Sequence, residues 1–183
     1  MNELFPIYGV TLGGTKVSDI ESNADDVHNS NEGRGAVINE VFFTEVANEG
    51  CIRYAGICNS QQERVDIPKK WRNALGLNWE MSIEESKSIL KQKGFKIESL
   101  TECKDYHSFY DSKLTVISPD DSLIIDLRFS GKIGLQWMMV SMNDCPLCNS
   151  KDIEFKTDEN SLLNFFVCNE CGHRWGLGYL KEE

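Results

Sequence analysis

The segments CPLC (residues 145–148) and CNECGHRW (residues 168–175) decide how the C-terminal part of this chain folds. Each holds two cysteines separated by two residues, and nineteen residues lie between the two pairs. Such a turn can direct two thiolates at one ion, and two turns together make a tetrahedral site. Zinc suits four soft thiolates and has no redox chemistry of its own. The spacing predicts a structural zinc ion bound by Cys145, Cys148, Cys168 and Cys171. Two disulfides, or four unrelated core cysteines, are the alternatives.

The composition favours a metal site over disulfides. The chain has 183 residues, 40% hydrophobic and 26% charged, which is typical of a globular protein of one ordinary domain or two small ones. The segment MNELFPIYG shows no secretory signal, and no apolar run reaches about 18 residues. We therefore expect a cytoplasmic protein without a membrane span. Cytosolic thiols stay reduced, and the seven cysteines are an odd number, which argues against a full set of disulfides.

The charge of the chain bears on its partner. The net charge is −10, and residues 143–183 carry eight acidic and four basic side chains, a net of −4. Nucleic-acid phosphates call for a basic patch, so this acidity makes duplex DNA or RNA a less favoured partner. A basic protein surface would be attracted. We expect the partner to be a protein, of basic character.

Residues 1–142 have the pattern of an α+β body. Two capping boxes, at Ser18 with Glu21 and at Ser82 with Glu85, predict helices over about 19–27 and 83–93. β-branched and aromatic residues at 36–46 and 51–58 predict one hairpin. Alternating apolar residues at 122–130 and 132–141 predict a second hairpin, with one face buried.

The remaining segments of the body carry weaker signals. Residues 28–35 are predicted to be a loop, because Asn, Ser and Gly crowd together. Residues 59–73 are polar and interrupted by Pro68, which indicates a connection. Residues 106–117 indicate two strands broken at 111–112. Cys51 and Cys58, near the ends of the strand at 51–58, are interpreted as small buried hydrophobes.

A weak internal repeat divides the body into possible halves, 1–66 and 67–142. Leu12-Gly13, the capping box at Ser18 and a hairpin recur as Leu75-Gly76, the capping box at Ser82 and a hairpin. Over residues 7–141 this pattern resembles the small α+β repeats of beta-lactamase-inhibitor-like proteins and outer-membrane assembly lipoproteins. The resemblance implies a fold of two helix-plus-antiparallel-sheet halves and a habit of binding other proteins.

The segment FFVCNECGHRW (residues 165–175) resembles the last strand and second metal-binding turn of a zinc ribbon. Over residues 145–175 the chain is most similar to transcription elongation factor S and the small ribbon subunits of RNA polymerases. The resemblance implies a zinc-ribbon domain at residues 143–183. In the elongation factor, an Asp-Glu pair at the hairpin tip helps to bind a catalytic metal. Asp158 and Glu159 occupy the corresponding loop here, and two solvated loop acids are the favoured interpretation.

Two histidines stand near cysteines. His173 adjoins the four cysteines, and with four thiolates available we expect it to lie beside the site without being a ligand. Cys103 and His107 lie four residues apart and could act as a nucleophile and its base. A half-buried free thiol is the favoured alternative for Cys103, because no orienting third group is apparent.

Together these features predict a non-enzymatic protein with an α+β body and a structural zinc ion, which binds another protein. An acidic inhibitor or immunity-type protein fits the small size and the charge. The alternative is a transcription-associated zinc-ribbon factor that contacts RNA polymerase or nucleic acid. An enzyme based on Cys103 and His107 is the third hypothesis.

Overall fold

The computed structural model describes residues 8–30, 33–46, 50–59, 66–102, 110–145, 147–157 and 164–175. They contain the helices α1 (Val17–Ile20), α2 (Lys69–Leu75) and α3 (Ile83–Gln92). The large sheet is formed by β1 (Asp26–Ser30), β2 (Gly33–Ile38), β3 (Val41–Val46), β4 (Ile52–Cys58), β5 (Lys96–Glu102), β6 (Ser112–Ile117), β7 (Leu123–Ser130) and β8 (Gly134–Met142). A small sheet contains β9 (Ile153–Thr157), β10 (Asn164–Cys168) and β11 (Arg174–Trp175). The predicted α+β class is confirmed.

The large sheet consists of two consecutive four-stranded meanders. Its order is β1-β2-β3-β4-β8-β7-β6-β5, and every neighbouring pair is antiparallel. The two meanders join through their last strands, with Ala55 of β4 opposite Val140 of β8. A helix precedes each meander, α1 the first and α3 the second. This is the predicted fold of two helix-plus-antiparallel-sheet halves. The boundaries at residues 66 and 142 stay predictions.

One face of the large sheet, which we call the helix face, packs against the helices. The inward side chains of the central strands meet Trp71 and Leu75 of α2 and Leu90 of α3, all three fully buried. Alternate residues of β7 enter this core, so the period-2 pattern of the sequence matches the buried face. Burial of this apolar surface is the main favourable term in folding.

The opposite face of the sheet, which we call the ribbon face, packs against the small C-terminal sheet. Ile124, Trp137 and Met139 form one buried cluster there with Cys145, Phe166, Cys168 and Tyr54. The central strands are therefore covered on both sides, whereas the sequence predicted one buried face. The cysteine-rich segment therefore packs against the body, because two of its four cysteines, Cys145 and Cys168, belong to this cluster.

Two elements predicted from the sequence are confirmed in detail. At the start of α3, the Ser82 N–H donates to the Glu85 carboxylate (2.9 Å), and the Glu85 N–H donates to Ser82 Oγ (3.3 Å). This reciprocal pair is the capping box, and Gly94 follows the helix with φ +84°. The hairpin of β7 and β8 pairs Leu127 with Met138, as its alternating pattern predicts.

The prediction of a helix over residues 19–27 is wrong. The helix α1 covers only Val17–Ile20, and its first turn is closed by the Asp19 carboxylate, which accepts a hydrogen bond from the Lys16 N–H (2.9 Å). A single 3₁₀ turn follows, and the chain then enters β1. Pairing of β1 with β2 overrides the local helix signal, because few apolar positions were available to bury a longer helix.

The prediction of a loop over residues 28–35 is also wrong for the described residues of that segment, which lie in β1 and β2. Gly35 fits a strand here because the His28 ring covers it; an added Cβ would lie 2.3 Å from His28 Nε2. The strand predicted over 36–46 is two strands, joined at Asn39 and Glu40, which both have positive φ. Such a two-residue turn suits the twist of a hairpin. The predicted pairing of the residues near 41–46 with 51–58 is confirmed.

Three further expectations differ from the structure. The connection predicted over 59–73 contains most of α2, which begins directly after Pro68. Within 106–117, the described residues 110–117 contain the single strand β6, and β5 was not predicted. Cys51 is half-buried and Cys58 is exposed, so the interpretation of both as buried hydrophobes is wrong for Cys58. Cys58 instead lies 3.4 Å from the Tyr110 hydroxyl.

Candidate metal centre

The four predicted ligands meet at one point. The Sγ atoms of Cys145, Cys148, Cys168 and Cys171 all lie within 4.8 Å of one another. Cys145 and Cys168 are fully buried, whereas Cys148 and Cys171 are exposed. Among the described residues, this is the group of cysteine, histidine and acidic side chains that could hold a metal ion.

The sulfur spacing fits a tetrahedral ion. Sγ of Cys145 lies 3.6 Å from Sγ of Cys171, and Sγ of Cys148 lies 3.5 Å from Sγ of Cys168. Four thiolates at about 2.3 Å from a central zinc ion would be about 3.8 Å apart. A disulfide bond is about 2 Å long. The described cysteines are free, so the disulfide alternative is not what the structure contains.

The two turns that present the sulfurs have the same backbone hydrogen bonds. In the first, the Cys145 N–H donates to the Ser150 carbonyl (2.8 Å); in the second, the Cys168 N–H donates to the His173 carbonyl (2.9 Å). The residue after each second cysteine has positive φ, 58° at Asn149 and 72° at Gly172. The Leu147 N–H also donates to Cys145 Sγ (3.4 Å), which stabilises negative charge on that sulfur.

The surroundings give the four thiols different acidities. Burial raises the pKa of Cys145. Burial also acts to raise the pKa of Cys168, but the Cys171 N–H and the neighbouring thiols lower it to about 7. For Cys148, the Ser150 N–H acts to lower the pKa, whereas burial and the adjacent thiols raise it to about 12. A cation at the centre would favour the thiolate form of all four groups, since thiolates are the species that bind metal.

Polar contacts hold the first of the two cysteine turns to the large sheet. Arg53 of β4 donates to the Asp144 carbonyl (2.8 Å) and forms an ion pair with the Asp144 carboxylate. The Asn143 N–H donates to the Ser122 carbonyl (2.9 Å), just before β7. Arg53 and Asn143 are both buried, so these bonds are shielded from water and position Cys145 at the edge of the ribbon-face cluster.

The other residues singled out from the sequence have different outcomes. His173 is half-buried beside the site, and burial lowers its pKa; it is not in the ligand group. Asp158 and Glu159, and the pair Cys103 and His107, lie outside the described residues. The side chain of Trp175, at the end of the ribbon motif, is also outside them.

A cluster of charged and aromatic side chains on the ribbon face was missed by the sequence reasoning. Arg128 lies directly opposite both Lys113 and Trp137 on the neighbouring strands, and its guanidinium carbon is 4.2 Å from the Trp137 ring centroid. Lys113 pairs with buried Asp126 at 4.0 Å. The only signal in the sequence was the alternation of Asp126 and Arg128 in an apolar strand, and such alternation predicts a solvent-facing side.

No family model, curated protein or solved structure matches the chain. The class that the fold and the site define is therefore an α+β protein with a four-cysteine cluster, compatible with a zinc ribbon, at its C-terminal sheet. Among the described residues, no helix has the length and apolar character needed to cross a membrane.

Proposed function

We propose that the four cysteines bind one structural zinc ion and that the protein is a non-enzymatic binding protein whose partner is another protein. The observation that carries the zinc proposal is the convergence of four sulfurs at tetrahedral spacing. Four thiolates complete the coordination of zinc, so no position is left for a water or substrate, and such closed sites are structural.

The position of the cysteines supports a stabilising role. Cys145 and Cys168 share a buried cluster with Phe166 and with Trp137 and Met139 of the large sheet. The small sheet has three strands, the last with two residues, and so has little core of its own. A structural zinc ion contributes on the order of 10 kcal/mol in small domains. Zinc here would fold the small sheet and keep it on the ribbon face.

The partner proposal rests on charge. The chain carries 29 acidic and 19 basic residues. Because opposite charge accelerates association, a basic protein surface is the favoured partner. An inhibitor or immunity-type protein, which works by covering a basic target, needs no catalytic residues. This reading is consistent with a closed metal site. A transcription-associated zinc-ribbon factor is the competing hypothesis.

The zinc proposal is tested by metal analysis of the purified full-length protein. We expect one equivalent of zinc, which is released when the thiols are modified and retained in a Cys58→Ser variant. Cobalt substituted for zinc should show the absorption of a tetrahedral thiolate site. A protein that contains no zinc and takes up neither metal would overturn this proposal.

The partner proposal is tested by capture of the tagged full-length protein from its source cells at low and moderate salt. We expect one basic protein in stoichiometric amount, with binding that weakens as salt increases. RNA polymerase subunits in the eluate would instead favour the transcription hypothesis. Capture of nucleic acid that survives moderate salt would contradict the charge argument.

A further inference from the structure

A groove of about 540 Å³ opens on the helix face, where α3 begins and where β7 turns into β8. We call it the helix-end groove. Ile83 of α3, Leu100 of β5 and Ile133 of the β7–β8 turn line it, and buried Phe129 contributes to its lining as well.

The apolar lining of the groove is exposed. Leu100 has 47% and Ile133 has 41% of its surface accessible. In the part of the chain that the structure describes, only three other large hydrophobic residues are exposed, and none of them lines this groove. Isolated exposed apolar residues are ordinary, but two in one concave site mark a surface that a partner could cover.

The polar lining is acidic. Glu80, Glu84, Glu102 and Asp111 contribute four carboxylates, and Lys132 contributes one ammonium group. Glu84 also pairs with Lys87 (2.9 Å). Asp111 is held in place, since it accepts hydrogen bonds from Ser112 Oγ and the Gly131 N–H. An apolar floor with a mainly acidic rim is complementary to a segment with both apolar and basic side chains.

The strand beside the groove is an edge of the sheet. β5 is the last strand in the order and pairs with β6 on one side. Among the described residues, no strand pairs with its other side. An extended chain can therefore add to β5 through main-chain hydrogen bonds and direct alternate side chains into the groove. The opposite edge strand, β1, provides a natural comparison, with Val27 exposed on the same face.

We propose that the helix-end groove and the free edge of β5 are the docking surface for an extended segment of a partner protein, whose groove-facing side chains, at every second position, include both apolar residues and Lys or Arg. This rests on the proposed function, in which the partner is a protein, and it adds where the partner binds and in what conformation. Leu100 and Glu102 are two residues apart on β5 and lie on the same face of the sheet, so successive groove-facing side chains of the segment would meet them. An apolar side chain would contact Leu100 and Ile133, and a basic one would approach Glu102.

The test uses the full-length protein and a short fluorescein-labelled peptide in which Val and Lys take turns at every second position, with Thr at the positions between them. Leu100→Asp and Glu102→Lys are the groove variants. Val27→Asp on the opposite edge and Glu40→Lys at the exposed β2–β3 turn are matched controls. By fluorescence anisotropy, we expect each groove variant to bind about tenfold more weakly, an ordinary effect for an anchor residue. The controls should bind like wild type. Melting curves check that every variant is folded.

Backbone amides supply the second measurement. On peptide binding, hydrogen exchange of β5 amides should slow, whereas exchange in β1 should not change. Equal binding by groove and control variants, or protection confined to β1, would overturn the docking surface. No binding by wild type would overturn the proposed chemistry of the occupant. A captured partner that binds the groove variants and the wild type equally would overturn this surface and leave the proposed function standing. Capture of nucleic acid without a protein partner would instead overturn the proposed function.

Discussion

Asn149 and Gly172 occupy equivalent positions in the two cysteine turns. Each follows the second cysteine of its pair, and each N–H donates to the carbonyl of the first cysteine at 2.8 Å, Asn149 to Cys145 and Gly172 to Cys168. Both backbones are left-handed, with φ of 58° and 72°. Glycine and asparagine are the residues that adopt this conformation most readily, so the two turns reach one geometry with different residues.

We expect Gly172→Ala to destabilise the small sheet by about 1–2 kcal/mol, the cost of a left-handed conformation for an ordinary residue. No atom lies within 4 Å of an added Cβ, so the cost is conformational and not a clash. Gly172→Asn should be close to wild type, as should Asn149→Gly. Zinc affinity by chelator competition is the measurement, and equal affinity of Gly172→Ala and wild type would contradict the expectation.

Cys168→Ser should lower the bound metal sharply, because a hydroxyl replaces one of four thiolates. The helix-face core does not include this residue, so far-UV circular dichroism should keep most of the helix and sheet signal. Trp137 is 9% exposed and packs in the ribbon-face cluster, so its fluorescence should shift to the red when the small sheet unfolds and exposes it. Cys58→Ser alters an exposed cysteine outside the cluster, so it should not change the bound metal, the circular dichroism or the fluorescence. Complete unfolding of Cys168→Ser would show that the body depends on the metal.

Asp144→Ala should lower the free energy of unfolding by about 2 kcal/mol, since it removes a charge-assisted bond to a buried guanidinium. Arg53 is 5% exposed and keeps its bond to the residue 144 carbonyl. A double-mutant cycle with Arg53→Met isolates the interaction energy of the two side chains. The free energy of unfolding of each variant is measured by urea denaturation. We expect the double variant to lose less than the sum of the single variants. Additive losses would indicate that the two side chains act independently.

The capping box of α3 predicts a dependence on pH. The Ser82 hydroxyl and the Ser82 N–H lower the pKa of Glu85 below its ordinary value, against a small opposing effect of burial. The ionised carboxylate therefore stabilises the folded state above the unfolded pKa, and this stability is lost as pH falls through the folded pKa. Glu85→Ala should melt below wild type at neutral pH, and the difference should shrink in acid. Glu98→Ala, on β5, serves as the control, and a gap that stays constant with pH would argue against a charged cap.

The parts of the fold that the sequence predicted correctly are those with a local cause. The helix α3 follows from Ser82, Glu85 and Gly94, which satisfy its own ends. The hairpin of β7 and β8 follows from period-2 alternation on both sides of a short turn. The cluster of four cysteines that could hold a metal ion follows from the spacing of two cysteine pairs, because each turn needs only the residues within it.

The parts that were missed depend on residues distant in the chain. Residues 26–30 carry a helix-like and loop-like pattern, and only pairing with β2 makes them a strand. β5 has mostly exposed side chains, so no hydrophobic alternation marked it, and its pairing with β6 defines it. α2 was not predicted, because Pro68 indicated an interruption of regular structure. Proline is nevertheless well tolerated at a helix start.

By itself, the sequence determined the α+β class, the best-capped helix and the four cysteines that could hold a metal ion, since these depend on contacts within a few residues. Only the tertiary structure decided that the small sheet covers the ribbon face, because Trp137 and Phe166 are remote in the chain and meet through packing alone. The same holds for the helix-end groove, whose lining comes from α3, β5 and the β7–β8 turn. Burial of apolar surface between remote segments has no signature in either segment alone.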